Sequence, residues 1–262
     1  LEVCWRERWG MTELELSHVI AAMLATSLIA LVKGAFGGGI GLVGIPILSL
    51  AMDPVTAGVI VAPLFIPMDI VALKYYPPRT WSMPDIKVLV PAMAIGIGLG
   101  TATIALLDAR FVSIAIAVVS LLFAAHWYSG GQKVTVAPRN DWHAALAGTA
   151  SGIATMIAHS GSPPLAMYLM RLGLAKEVYV GTTTIYFTIG NAIKVWPWLI
   201  IGRPTAAMWT LIAICIPVAV IGVWVGWKLH QHLDQRRLYQ GCYAILVLTS
   251  LKLLWDGIKG FA

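Results

Sequence analysis

Eight long apolar stretches run through the chain and constrain its fold more than any other feature. They lie at about 17–52, 55–73, 87–107, 111–128, 143–170, 178–200, 205–227 and 236–256. Six of them are close to the length, about 20 residues, with which an α-helix crosses the hydrocarbon core of a bilayer. Only 11% of the 262 residues are charged, against about 25% in a typical soluble domain. Because so little charge cannot keep a surface of this size in water, we predict an all-α polytopic membrane protein.

The charged residues and the cysteines argue against several other classes of protein. The net charge is +6, but Lys and Arg stand singly between apolar stretches. We therefore interpret them as topology signals rather than as a surface for nucleic acid. Three cysteines without CxxC spacing indicate neither a disulfide framework nor a metal site. Residues 1–14 contain no apolar stretch, and we treat them as an N-terminal extension outside the fold.

Two halves of the chain carry the same pattern of glycine and proline. A shift of 118 positions pairs Gly34 with Gly152 and Pro46 with Pro164. A shift of 126 positions pairs six residues in and just after the third apolar stretch with identical residues near the seventh: Pro91, Ile95, Gly96, Gly100, Asp108 and Arg110 with Pro217, Ile221, Gly222, Gly226, Asp234 and Arg236. Self-similarity at a fixed shift is the sequence signature of an internal repeat.

A polar linker at the midpoint of the chain separates the two copies. We predict a first membrane repeat over 15–128, a linker over 129–141 and a second membrane repeat over 142–258. The cytoplasmic side of a membrane protein carries an excess of Lys and Arg. Their distribution between the apolar stretches favours inverted copies, although parallel copies stay open.

Each repeat opens with a segment in which glycine and proline interrupt an apolar helix. The segments are KGAFGGGIGLVGIP at 33–46 and SGIATMIAHSGSPP at 151–164. Backbone that leaves the helix inside a bilayer is tolerated only where protein buries it or where it lines a cavity. Paired interruptions are typical of transporter sites, where half-helix N-termini offer N–H groups to an anion, although glycines also serve close helix packing. We predict that the substrate binds at both interruptions, through Gly37, Gly38, Gly39, Gly41, His159, Ser160, Gly161 and Ser162.

Ionisable side chains inside apolar stretches are further candidates, because a charge in a membrane is costly and usually functional. Lys33 and Lys194 are predicted to hold the anion, unless they reach a membrane interface. For Lys194 the neighbouring Trp196 and Trp198 favour an interface nearby, since tryptophan is enriched there. His159 is a candidate for substrate binding, for proton transfer or for capping a half-helix.

Polar side chains near these lysines complete the predicted site. Asp69 is a candidate proton carrier, a polar partner of a lysine, or a residue at the membrane edge. Asn191 corresponds to Asp69 within one position when the halves are aligned, and we place it in the substrate site. Thr182 and Thr183 either hydrogen-bond an oxyanion or bond back to their own helix.

Two motifs resemble those of the TauE/SafE family of membrane transporters. GAFGGGIGLVGIPIL at 34–48 is similar to the family's first-half motif, and GTTTIYFTIGNAI at 181–193 is similar to its second-half Gly-Thr run with a following Asn. The resemblance spans nearly all of 15–258. It implies a secondary transporter in the bacterial inner membrane that exports sulfite or a sulfonate from the cytoplasm. The second interruption departs from the family pattern, because TMIAHSGSPP replaces the usual glycine cluster.

Two other functions compete with the transporter. An anion channel is closest in mechanism, and an intramembrane enzyme is a separate class. The chain has six histidines but no HExxH motif and no GxxxxGK[ST] motif, which argues against a zinc protease and against an ATPase. We predict a non-enzyme with no cofactor and no metal, whose partners are a small anion and membrane lipid, not nucleic acid. The oligomeric state is left open.

Overall fold

The computed structural model describes residues 14–36, 44–106, 109–129 and 136–229, together with isolated residues and short segments between 244 and 259. All regular structure in these ranges is helical, which confirms the predicted class. A 3-10 turn at Pro78–Thr80 precedes the fourth helix. The α-helices up to residue 229 are α1 Leu16–Phe36, α2 Gly44–Leu48, α3 Pro54–Tyr75, α4 Met83–Leu106, α5 Ala109–Tyr128, α6 Asp141–Ala158, α7 Ser162–Arg171, α8 Lys176–Gly202 and α9 Ala206–Leu229.

Four helices in the described ranges are long and apolar enough to cross a membrane, namely α1, α3, α4 and α9. In α5 the apolar part is shorter, over Ile114–His126. With 27 residues α8 also has the length to cross a bilayer. It is less apolar because it carries a run of threonines together with Asn191 and Lys194. These polar side chains are buried, so α8 turns them towards the protein interior.

Two close helix pairs link early and late parts of the chain. α4 packs along α6, and α1 packs along α9. A side chain at Gly96 would collide with the carbonyl oxygen of Thr149, and one at Gly226 would collide with that of Leu31. Gly98 faces open space instead. Gly96 therefore serves the close packing of two helices, and Gly98 does not.

The interior of the bundle is built on α3 and α8, which pack against each other. α3 begins at Asp53, whose side chain accepts hydrogen bonds from the amides of Val55 and Thr56 at 3.0 and 2.9 Å. Such an N-cap satisfies donors that the first helical turn leaves free. α3 is buried over most of its length, so both the side chain of Asp69 and the backbone at Gly58 lie in the interior of the bundle.

Candidate functional site

The helical segment that opens the second half is interrupted between α6 and α7. α6 ends at Ala158, and His159 adopts the left-handed conformation with φ of 50°. The amides of His159 and Ser160 donate to carbonyl groups in the last turn of α6, which closes the helix. A Cβ at Gly161 would collide with Ser151, whose hydroxyl donates to the Gly161 carbonyl over 2.6 Å. Left-handed backbone at a bulky residue is strained, and such strain clusters at functional sites.

The N-terminus of α7 offers few amides to a ligand. Its first turn reads Ser162, Pro163 and Pro164, and proline has no N–H group. Ser162 itself is half-buried. An anion bound at this interruption must therefore be held mainly by side chains.

Lys33 and Asp69 form a buried ion pair. Nζ of Lys33 lies 2.6 Å from Oδ1 of Asp69, and the two side chains are 3% and 2% exposed. Asn191 donates to Oδ2 over 2.7 Å, and Thr188 donates to Oδ1 over 3.0 Å. Every described contact of the carboxylate is a donor, so its charge is matched within the protein. Both side chains are buried within the protein, so neither extends to its surface.

Lys194 is equally buried, but the described residues give it no carboxylate. The side chain is 1% exposed, and Nζ donates to the hydroxyl of Thr155 over 3.0 Å. Nζ also lies 4.5 Å from the centroid of the Phe65 ring, and Nζ of Lys33 lies 5.2 Å from the same centroid. A hydroxyl and a ring face compensate a buried ammonium group only in part. When both lysines are protonated, two ammonium groups and one carboxylate leave one positive charge without a described counter-ion.

His159 and Trp198 stack beside these lysines. Their ring centroids are 5.3 Å apart with an interplanar angle of 23°, and the Phe65 ring lies 5.5 Å from the imidazole. Nε2 of His159 donates to the carbonyl oxygen of Gly58 over 3.3 Å. Within the described residues, Nδ1 of His159, Nε1 of Trp198 and the hydroxyl of Ser160 have no hydrogen-bond partner. Buried polar atoms normally have one, so these three atoms are candidate contacts for a ligand.

The structure gathers some of the predicted site residues and separates others. Phe65 contacts Lys33, Lys194 and His159, and Asn191 joins this group through Asp69. Ser160 follows His159 directly. We call the following residues the lysine cluster: Lys33, Phe65, Asp69, Thr155, His159, Ser160, Asn191, Lys194 and Trp198. Four of the predicted residues, Gly37, Gly38, Gly39 and Gly41, lie outside the described residues.

The predicted threonines lie away from the lysine cluster. Thr182 accepts a hydrogen bond from the amide of Ser82 over 2.8 Å, and Thr183 bonds back to the carbonyl of Tyr179 over 2.8 Å. Thr182 is twelve residues from Lys194 on α8, which is about 18 Å along a helix. Their side chains are used in contacts between and within helices.

Ser82 belongs to a second buried polar network, at the N-terminus of α4. Asp85 accepts a hydrogen bond from the hydroxyl of Ser82 and another from the hydroxyl of Tyr168, the latter over 2.9 Å. Nε of Arg139 lies 3.2 Å from the same carboxylate. Arg139 lies in the linker and Tyr168 on α7, so this network joins three parts of the chain. Its charges are paired, which distinguishes it from the lysine cluster.

Three members of the lysine cluster were not expected from the sequence: Phe65, Thr155 and Trp198. Of the two tryptophans taken as signs of an interface near Lys194, Trp198 is fully buried, whereas Trp196 is 65% exposed. Helical spacing could have indicated that Trp198 lies beside Asn191 and Lys194, since positions 191, 194 and 198 share one helix face. Gly58 makes the room, because a Cβ there would collide with the indole.

The arrangement suits the binding of an anion. Among the residues that the structure describes, it combines a buried ammonium group without a counter-ion, a second one that is paired, and three further polar atoms without partners. Charge-assisted hydrogen bonds from such groups are the strong ones. The stacked rings beside them exclude water, which strengthens each electrostatic contact.

Comparison with known proteins supports the resemblance carried by the two motifs. A family model described as sulfite exporter TauE/SafE matches residues 22–253. The match covers both helix interruptions and the whole lysine cluster. The predicted family is therefore confirmed. No curated protein and no solved structure matches the chain in the same comparisons.

Proposed function

The chain belongs to the TauE/SafE sulfite exporter family, and we propose that it is a secondary transporter that exports a small sulfur-containing oxyanion. Sulfite or a sulfonate is the proposed substrate, and the bacterial inner membrane is the proposed location. The substrate leaves the cytoplasm through a site formed by the lysine cluster. No enzymatic step and no cofactor is needed for this function.

The observation that carries the proposal is the buried ammonium group of Lys194. Its exposure is 1%, and its only described hydrogen-bond acceptor is the Thr155 hydroxyl. Burying a charge without a counter-ion costs several kcal/mol, so such a group persists where a ligand supplies the opposite charge. Ser160 and Trp198 add two donors without partners, and Nδ1 of His159 adds a third polar atom. An oxyanion accepts from Lys194 and from the two unpartnered donors, whereas Nδ1, an acceptor in the neutral imidazole, suits a protonated oxygen of the ligand.

Export of an anion agrees with the electrical gradient across a bacterial membrane. A potential that is negative inside favours the exit of a monovalent anion by about 2.3 kcal/mol per 100 mV. Tight coupling to a second ion is therefore not required for export. Of the two candidate proton carriers, Asp69 is engaged by three donors, whereas His159 keeps Nδ1 free of described partners. His159 is thus the better proposal for any proton coupling.

We also propose that the two halves, 15–128 and 142–258, are copies of one membrane unit. The helix pairs support this proposal: Gly96 on α4 lies against α6, and Gly222, its partner under the shift of 126, lies against Ala30 on α1. Asp69 in the first half accepts a hydrogen bond from Asn191 in the second half. The proposal puts the lysine cluster at the junction of the copies, where transporters of repeated architecture bind substrate.

Counterflow in proteoliposomes tests the transport function. Vesicles loaded with unlabelled sulfite are diluted into a trace of radiolabelled sulfite, and the label inside is followed with time. A carrier that alternates between two sides is expected to accumulate label transiently above equilibrium. Lys194→Gln should abolish this overshoot while the protein still inserts and elutes as a folded species. Uptake that reaches equilibrium without an overshoot would favour the channel, and no uptake at all would refute anion transport.

A matched control uses a lysine outside the site. Lys228 lies at the end of α9 with Nζ 4.1 Å from the centroid of the Trp224 ring. Lys228→Gln removes the same charge from the protein, so counterflow should be unchanged. Equal loss in both variants would show that total charge, rather than the lysine cluster, governs transport.

A further inference from the structure

We infer that Asp69 sets the charge of the transported anion, so that the lysine cluster accepts monoanions and rejects dianions of similar size. The inference rests on the proposed function, because it names the charge class of the substrate at that same site. A monoanion here is a sulfonate or hydrogen sulfite, and a dianion is sulfite itself or sulfate.

The inference follows from the charges buried in the bundle. The buried ionic side chains of the described residues are Lys33, Asp69, Asp85, Lys194 and, when protonated, His159. Asp85 belongs to the separate network with Arg139. Two ammonium groups and one carboxylate remain beside Phe65, and their sum is one positive charge. One negative charge on a ligand neutralises the cluster, whereas two would bury an excess of negative charge.

Asp69 is the residue that fixes this sum. The carboxylate of Asp69 on α3 is held by donors from two other helices, Lys33 on α1 and Asn191 on α8. A group bound this firmly stays in place when a ligand enters. Because Asp69 neutralises the charge of Lys33, the positive charge that attracts the ligand comes from Lys194. The second charge of a dianion meets the carboxylate instead of a free ammonium group.

A direct binding measurement tests the inference with methanesulfonate and sulfate, which are both tetrahedral and differ by one charge. Purified full-length protein in nanodiscs is titrated calorimetrically with each anion. The wild type is expected to bind methanesulfonate more tightly. Asp69→Asn keeps the shape of the side chain and raises the charge sum by one. One unit charge within about 6 Å, at an effective dielectric constant of about 20, changes affinity by more than tenfold. The affinity ratio should therefore shift towards sulfate by at least about tenfold.

Two further variants separate charge from structure. Asp69→Asn combined with Lys33→Gln restores the original charge sum, and the ratio should return towards that of the wild type. Thr188→Val removes one donor to Asp69 without changing any charge, and the ratio should stay the same. The double variant also serves as the test if Asp69→Asn alone does not fold.

The possible results separate this inference from the proposed function. An unchanged ratio in Asp69→Asn, or a double variant that prefers sulfate, would overturn the inference while leaving anion transport in place. A wild type that binds sulfate as tightly as methanesulfonate would do the same. If the wild type binds neither anion nor sulfite, the proposed function itself fails.

Discussion

The same substitution at the two buried lysines is expected to change stability in opposite directions. Lys33→Met removes the counter-ion of Asp69 and leaves a buried carboxylate whose remaining described contacts are Asn191 and Thr188. Lys194→Met removes an ammonium group that has no described counter-ion. Methionine is a fair replacement in both cases, because it is flexible and keeps most of the apolar length of lysine.

The sizes of both effects follow from the contacts. Removing one partner of a buried ion pair costs about 3–5 kcal/mol. At Lys194 the relief from burying a charge is several kcal/mol, whereas the lost hydrogen bond to Thr155 costs about 1.5–3 kcal/mol and the lost contact with Phe65 about 1–2 kcal/mol. With a relief of about 5 kcal/mol and losses of about 4 kcal/mol together, the net change for Lys194→Met is a stabilisation of about 1 kcal/mol. At about 2–4 °C per kcal/mol for a chain of this size, Tm should fall by roughly 6–20 °C for Lys33→Met and rise by a few degrees for Lys194→Met.

Tryptophan fluorescence during heating in detergent measures both variants, because the chain has eleven tryptophans. The buffer must contain no oxyanion, since a bound ligand stabilises the wild type by mass action. Adding methanesulfonate should then raise the Tm of the wild type and leave that of Lys194→Met unchanged. A large decrease in Tm for Lys194→Met in the absence of anion would refute the reasoning, because Lys194 would then have a counter-ion already.

Two other substitutions test how the site is held together. Gly96→Val should prevent α4 from packing on α6 and abolish the monodisperse peak in size-exclusion chromatography, whereas Gly98→Val, at a position that faces open space, should elute like the wild type; equal behaviour would contradict the close approach of the two helices. Trp198→Ala should lower stability by about 3–5 kcal/mol, as is typical for a large aromatic side chain removed from a core, whereas Trp196→Ala at an exposed position should cost less than about 1 kcal/mol. Similar Tm values for the two alanine variants would argue against the buried position of Trp198.

The class of fold follows from the sequence because it depends on local chemistry. The apolar stretches and the scarcity of charge suffice for a helical membrane protein, and the interruption at 159–161 coincides with glycine and proline. The partners of the helices do not follow in the same way. α3 and α9 are apolar on all sides, so their patterns mark no face for a neighbour. That α1 meets α9, and α4 meets α6, depends on contacts between distant parts of the chain.

Some residues of the candidate site could likewise be predicted from the sequence, and others depend on contacts between helices. Lys33, Lys194 and His159 stand out in the sequence because polar groups are rare in apolar stretches. Pairing with a lysine was one of several roles that the sequence left open for Asp69. Only the packing of α1 on α3 shows that Asp69 pairs with Lys33. Trp198 was used, together with Trp196, as a sign of an interface near Lys194, because tryptophan is common at interfaces. Its burial depends on the space left by Gly58 on another helix, which no local pattern reports.

The pairing of α1 with α9 has a consequence for how the protein is made. Gly226 on α9 lies against Leu31 on α1, and the ribosome adds the intervening residues, about 195 of them, at about 5–20 per second. For some 10–40 s the nascent α1 is therefore in the bilayer without the helix that finally covers it. During that time its small-residue face must be shielded by lipid or by the insertion machinery. Completion of the bundle waits for α9, and the lysine cluster itself waits for α8, which carries Asn191, Lys194 and Trp198, so the site is assembled only late in synthesis.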